Sequence, residues 1–401
     1  MNSESVSAAD GAHSVRFLKT FIFFLYGVIA VWGPYLTLHY REQGLSGRDI
    51  GLLGTVFPFT VIFLPPVWGY VSDRAKDPRM IQLVGVAVSG VALLPCAFGH
   101  SFAFFLPFII LFSIFYCPLV PLSDSQIFSA VAAYGGDYGR IRVWGSLGFN
   151  FTILAISIVF LFVSDIRLIF VVLFFVVVAA LLSLYGAPSL PSRLKHGEYL
   201  RGIKLLRNRQ FFVLIVGVFI NRLTLTPLYT FFSIYLREMD IPLPIIGLIW
   251  MIGPFAELAF FHYGDVLLRV FRIKGLVMLS LIAGIVRLFI LAGQPPTWVI
   301  LLSQLLHSLT FAANHLGAVT YVDSYLPPQL RSSGQTIFSA IAIGTGCAIG
   351  SYIGGILFDS VGIAVTFGIM GFVTILGAGF FWFAFHPEDR PRSHLEMTRT
   401  S

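Results

Sequence analysis

The chain is 401 residues long, with 57% of its residues apolar and only 11% charged, where soluble domains carry about 25% charged residues. So little polar surface cannot cover a globule in water, and the solvent for most of the chain must be lipid. The net charge of +7 gathers into no single patch, which removes nucleic acid as a partner, and Cys96, Cys117 and Cys347 stand far apart in apolar runs, which removes a disulfide framework or a metal site.

Runs long enough to cross about 30 Å at roughly 1.5 Å per residue recur along the whole chain. The first, Phe17–Tyr40, follows Arg16 and Lys19 as a signal peptide would, but it is too long for a signal core and no small-residue cleavage site follows it, so it reads as retained. Ile50–Val71, Met80–Phe98, Phe102–Val131, Ile141–Val163 and Leu168–Ala187 come next. After the polar stretch 188–210 the pattern resumes with Phe211–Leu236, Ile245–Tyr263, Gly275–Ala292, Trp298–Tyr325, Gln335–Phe358 and Val361–Phe385. Continuous apolar runs argue for helices over the ten-residue alternating strands of a barrel. The predicted fold is therefore an all-α integral membrane bundle of twelve transmembrane helices. A six-helix half covers 1–187, a cytoplasmic central loop 188–210, a second six-helix half 211–386 and a cytoplasmic tail 387–401, the pattern of a transporter built from repeats. Assigning alternate loops to alternate sides places twenty of the 26 Lys and Arg on one side and four on the other. By the positive-inside rule both termini are expected in the cytoplasm, with the chain a multi-pass protein of the cell (inner) membrane.

Function is sought among ionisable residues inside the spans, each costing about 2.5–3.5 kcal/mol at mid-helix on insertion scales. They are Asp124, Arg142, Arg222, Glu257, Arg287, His307 and His315. Asp124 follows Pro118 and Pro121, which loosen its helix by freeing backbone carbonyls. If the hairpin turns at Gly135-Gly136, Arg142 differs from Asp124 in depth by about five residues, a gap a long arginine closes. The pair would set a donor fork opposite a carboxylate, with Trp144 and Phe149 nearby. In the C-terminal half, Glu257 and Arg287 are level about a midpoint in the intervening loop, and His307 lies within about a turn of Arg287. Gln304, His307, Phe311 and His315 share one helical face. A carboxylate whose charge answers to a movable Arg and His is how a proton site is made, although ion pairs that only hold helices together would use the same residues. For His315, packing between helices accounts for the residue as well as proton transfer does.

Several of these segments carry a resemblance. The loop Gly69-Tyr70-Val71-Ser72-Asp73-Arg74 resembles the Gly-x-x-x-Asp-Arg signature of the major facilitator superfamily, with Arg79 one residue late for its final arginine. That resemblance implies a gating loop in which Gly69 allows close helix approach while Asp73 and Arg74 latch the halves. The stretch from Pro118 to Asp124, the stretch from Tyr138 to Ser146, Ala256-Glu257, Gly284 to Arg287, and Leu306 to Phe311 with His315 resemble the bacterial 3-phenylpropionate permease branch, near lactose permease and the nucleoside–proton symporters. The likeness implies substrate binding by Asp124 with Arg142, and proton coupling by Glu257, Arg287 and His307. Two positions depart from it. Thr310 stands where lactose permease has a second carboxylate, and Arg222 adds a charge outside the branch's pattern.

The expected function is a proton-coupled symporter of a small organic solute, an aromatic monocarboxylate such as 3-phenylpropionate. Asp124, Arg142, Trp144 and Arg222 are its expected substrate-binding residues, and Glu257, Arg287, His307 and His315 its proton-coupling set. A sugar or nucleoside symporter, or a drug–proton antiporter, is the alternative reading. The proton gradient replaces any cofactor, and a monomer in the bilayer is expected. No Gly-x-Ser-x-Gly, His-Glu-x-x-His or phosphate-binding loop occurs, which argues against an enzyme.

Overall fold

The computed structural model describes residues 8–75, 77–187, 203–327 and 330–386, and every regular element among them is helical. Among the described residues, eleven helices are long and apolar enough to cross a membrane. With a broken one they give α1 (His13–Glu42), α2 (Gly47–Phe63 continued by Pro65–Arg74), α3 (Pro78–Phe98), α4 (Phe102–Tyr134), α5 (Tyr138–Phe162) and α6 (Leu168–Tyr185). The second set is α7 (Arg209–Glu238), α8 (Leu243–His262), α9 (Gly264–Ala292), α10 (Thr297–Tyr325), α11 (Ser333–Val361) and α12 (Ile363–Ala384). The tail 387–401 and most of the central stretch, 188–202, lie outside the described residues.

Two expectations change in detail. The predicted span Ile50–Val71 is not one helix: Pro65 and Pro66 have no N–H for the carbonyls one turn back, so α2 stops at Phe63 and restarts at Pro65. The stretch before Gly275, expected as a loop, is helical from Gly264, and the chain turns into the membrane at Arg272, whose φ of 54° breaks the helix there. The α4–α5 turn falls at Gly135-Gly136 as expected, because φ values of 77° and 104° suit residues without a Cβ. Asp137 then starts α5 by accepting from the Arg140 N–H at 3.0 Å, and Asn208 does the same for α7 with Phe211 at 3.0 Å.

The two sets of six helices meet closely at the end of the bundle that carries the α1–α2 and α7–α8 turns. Near the start of α8, Gly247 lies against Ser157 of α5 and Tyr35 of α1, where a Cβ would collide with both hydroxyls. Arg41 at the end of α1 approaches Glu238 at the end of α7 to 3.7 Å. Gly47 and Gly51 of α2 cross Ser351 and Gly355 of α11 backbone to backbone. Toward the opposite end, Phe59, Phe63, Val67 and Tyr70 of α2 stand exposed.

Candidate functional site

The first cluster lies on α1, α4 and α5. Tyr138 and Arg142, one turn apart on α5, both reach back across the Gly135-Gly136 hairpin to Asp124 on α4. Tyr138 donates its hydroxyl to Oδ1 at 3.0 Å, and Arg142 Nε stands 3.7 Å from the same oxygen. The Arg142 guanidinium also lies over the Tyr26 ring of α1, 4.2 Å from its centroid. Gly145 makes room for that stack, since a Cβ there would come within 2.9 Å of Arg142 Nη1 and 2.8 Å of the Tyr26 ring. Both charged side chains keep 31% of their surface exposed, so the pair is partly open to solvent. Trp144 is not brought to this pair. Two residues beyond Arg142 it sits on the other side of α5, 38% exposed and tilted against Phe23.

The second cluster is tighter. Arg287 of α9, 2% exposed, donates Nη2 to Gln304 Oε1 at 2.6 Å and directs Nη1 at the Tyr229 hydroxyl, 3.4 Å away, and at His307 Nδ1, 3.3 Å away. Tyr229 of α7 approaches the same Nδ1 at 3.1 Å. On the far side of the imidazole, Nε2 lies 2.9 Å from Glu257 Oε1 of α8. Gly253, one turn before Glu257 on α8, leaves space for this ring, because a Cβ there would lie 2.8 Å from it. Guanidinium groups only donate. Where Arg287 bonds His307 Nδ1, that nitrogen therefore accepts, and Nε2 is then the ring atom that donates toward Glu257. Glu257 is thus joined to Arg287 through one imidazole, in a chain that spans α8, α10 and α9.

A π turn over Leu309–Ala313 absorbs an extra residue of α10, which cancels the drift that an i, i+4, i+8 series suffers around a 3.6-residue helix. His307, Phe311 and His315 accordingly stack in one row, with centroids 6.0 and 6.2 Å apart and planes within 12°. Arg222 of α7, only 6% exposed, lays its guanidinium over Phe311, 4.7 Å from the ring centroid. Its Nε has no partner, and no carboxylate of the described residues pairs with it.

Of the expected gating-loop residues, Gly69 is buried and Arg74 lies over the ring of Tyr70 at 3.7 Å. The Asp73 side chain lies outside the described residues. Arg79 works within one half, donating to the Tyr185 and Ala187 carbonyls at the end of α6 at 3.3 and 3.0 Å. Tyr26, Tyr138 and Tyr229 are not among the expected site residues. The phenols of Tyr138 and Tyr229 are hydrogen-bonded members of the two clusters and the ring of Tyr26 carries Arg142; one usable signal was the i, i+4 spacing of Tyr138 and Arg142.

Known proteins place this architecture. The probable 3-phenylpropionic acid transporter of Escherichia coli (strain K12) is 28% identical over 88% of this chain and 92% of its own length. The maltose permease of Geobacillus stearothermophilus is 27% identical over 89% and 90%. The crystal structure of the nucleoside transporter NupG superposes with a TM-score of 0.83 at 18% identity, covering 93% of this chain and 99% of the other. These relatives are named for three different solutes, so kinship fixes the class of protein and leaves the solute to the site. The model of the MFS_1 like family matches residues 15–369, and the chain belongs to that family of major facilitator transporters, a multi-pass membrane protein that moves a small molecule and is not an enzyme.

Proposed function

We propose that the protein is a proton-coupled symporter of an aromatic monocarboxylate, 3-phenylpropionate being the type, working by alternating access between its two halves. The observation that carries this reading is Arg222: a cation almost out of water, stacked on Phe311 and without a carboxylate partner among the described residues. A lone buried cation is costly, and a substrate carboxylate supplies the missing anion through charge-assisted bonds. The same stack offers Phe311 as a surface for the substrate's ring.

Coupling follows from the tautomer of His307. While Arg287 donates to Nδ1 no proton can be held there, so protonation of His307 requires Arg287 to withdraw. Protonation of Glu257 removes the charge that the Nε2–H faces. Either event loosens the α8–α9–α10 chain at the imidazole that Tyr229 contacts, and Tyr229 lies on the same helix as Arg222. His315 extends the row beyond Phe311 and completes the proposed proton-coupling set. Asp124 and Arg142 form the substrate contact of the first half, and Trp144 has no part in it. In this reading the α1–α2 end is outermost, the termini are cytoplasmic, the closed end faces outward, and the chain works as a monomer in the cell membrane.

The second reading is a sugar symporter, favoured by the kinship with maltose permease and by Asp124, whose partly open carboxylate suits hydroxyl groups. Uptake into proteoliposomes under an inward proton gradient separates the two. Labelled 3-phenylpropionate should accumulate, cinnamate should compete, and Arg222→Gln should abolish both effects. Accumulation of maltose or a nucleoside with no response to aromatic acids would replace the first reading by the second.

A further inference from the structure

We infer that Asp359, on the last turn of α11, is the latch that holds the α1–α2 end of the bundle closed. The first N–H groups of a helix have no partner within it. In α2 the third of them, on Asp49, is taken by the Ser46 hydroxyl at 3.1 Å. The first two are taken from the other half of the molecule: Gly47 N–H donates to Asp359 Oδ1 at 2.6 Å and Arg48 N–H to Oδ2 at 2.8 Å. One carboxylate thus grips two orphan donors and the positive end of the helix dipole at once.

The crossing beneath it is built to let this happen. A Cβ at Gly355 would overlap the Gly47 carbonyl, and one at Gly51 would lie 2.6 Å from the Ser351 carbonyl. Ser351 also donates its hydroxyl to the Gly51 carbonyl at 3.0 Å. Arg41 of α1 covers Phe358, the residue before Asp359, 5.0 Å from its ring centroid. These contacts join α1 and α2 to α11, so every one of them must break when the halves part at this end. The donors then exposed are backbone N–H groups at a helix terminus, which water satisfies at small cost, and this makes the latch reversible.

The spacing also repeats. Gly355-x-x-x-Asp359 on α11 matches Gly69-x-x-x-Asp73 on α2, and the two stand at opposite ends of the same helix pair.

Spin labels at Ser164→Cys, on the α5–α6 turn, and Thr297→Cys, at the start of α10, both at this end, report its opening by distance measurement in the full chain in nanodiscs without substrate. Parent protein should show mainly the short distance. Asp359→Ala should raise the long-distance population about five- to tenfold, the worth of one helix cap, and Asp359→Asn, which puts an amide N–H₂ opposite one of the two backbone donors, by at least half as much. Should the alanine variant fail to fold, the near-isosteric asparagine variant decides. An unchanged distance distribution in either folded variant, with or without a lower melting temperature, would overturn the inference. No transported solute enters this test, so its outcome is independent of the substrate reading.

Discussion

Replacing Asp124 and Arg142 singly and together by alanine tests the first cluster. Two unit charges at about 4 Å attract by about 4 kcal/mol at an effective dielectric of about 20. Each side chain keeps 31% of its surface open, so the coupling should fall between the roughly 3–5 kcal/mol lost on breaking a buried pair and the 0–1 kcal/mol or so of a surface pair, at about 1–2 kcal/mol. Asp124→Ala also strands the Tyr138 hydroxyl, and a hydrogen bond to a charged group adds about 1.5–3 kcal/mol, so this single change should be the costlier one. Arg142→Ala leaves Asp124 one partner, Tyr138 at 3.0 Å, and should cost less by that amount, about 1.5–3 kcal/mol. The double variant should be better than the sum of the singles by the coupling energy, seen as a five- to thirtyfold non-additivity in the affinity for 3-phenylpropionate measured by calorimetry on purified protein. Strict additivity would show that the 3.7 Å approach carries no interaction that binding uses.

Three further outcomes are expected. Glu257→Gln should abolish accumulation of solute against its gradient while leaving solute exchange at least partly intact, because the amide keeps a hydrogen bond to His307 Nε2 but carries no proton; concentrative uptake by this variant in proteoliposomes would remove Glu257 from the coupling step. Tyr229→Phe deletes the hydroxyl shared by Arg287 and His307 and should lower the pH-gradient-driven rate about tenfold with little change in equilibrium binding, read by comparing uptake with calorimetry. Gly148→Ala puts a methyl into the Phe23 carbonyl where α5 crosses α1, an overpacking cost of about 1–3 kcal/mol, seen as a lower melting temperature than the parent's in a detergent thermal scan.

How much of this was legible in the sequence depends on whether a feature lies along a helix or around it. Apolar length alone set nearly every span, because a helix that crosses about 30 Å of hydrocarbon needs about twenty apolar residues whatever its neighbours are. Depth was legible for the same reason: counting from the Gly135-Gly136 turn brought Asp124 level enough with Arg142 for contact, and counting about the intervening loops did so for Glu257, Arg287 and His307. Azimuth was not read as well. Trp144 was grouped with Arg142 for its nearness in the chain, yet two positions on a helix turn a side chain to the opposite face, and Phe23 holds it there. The row of His307, Phe311 and His315 was expected from i, i+4 spacing, but its alignment depends on the π turn at Leu309–Ala313, which no local pattern announces. The pairing of Asp359 with the first turn of α2 was beyond reach altogether, because it joins residues more than three hundred positions apart at a helix crossing that only the packed glycines allow. What the sequence does contain there is the reason the crossing can form: with Gly47, Gly51 and Gly355 at the contact, backbone meets backbone, and a carboxylate one turn beyond Gly355 lands on two backbone donors that the end of α2 leaves without a partner of its own.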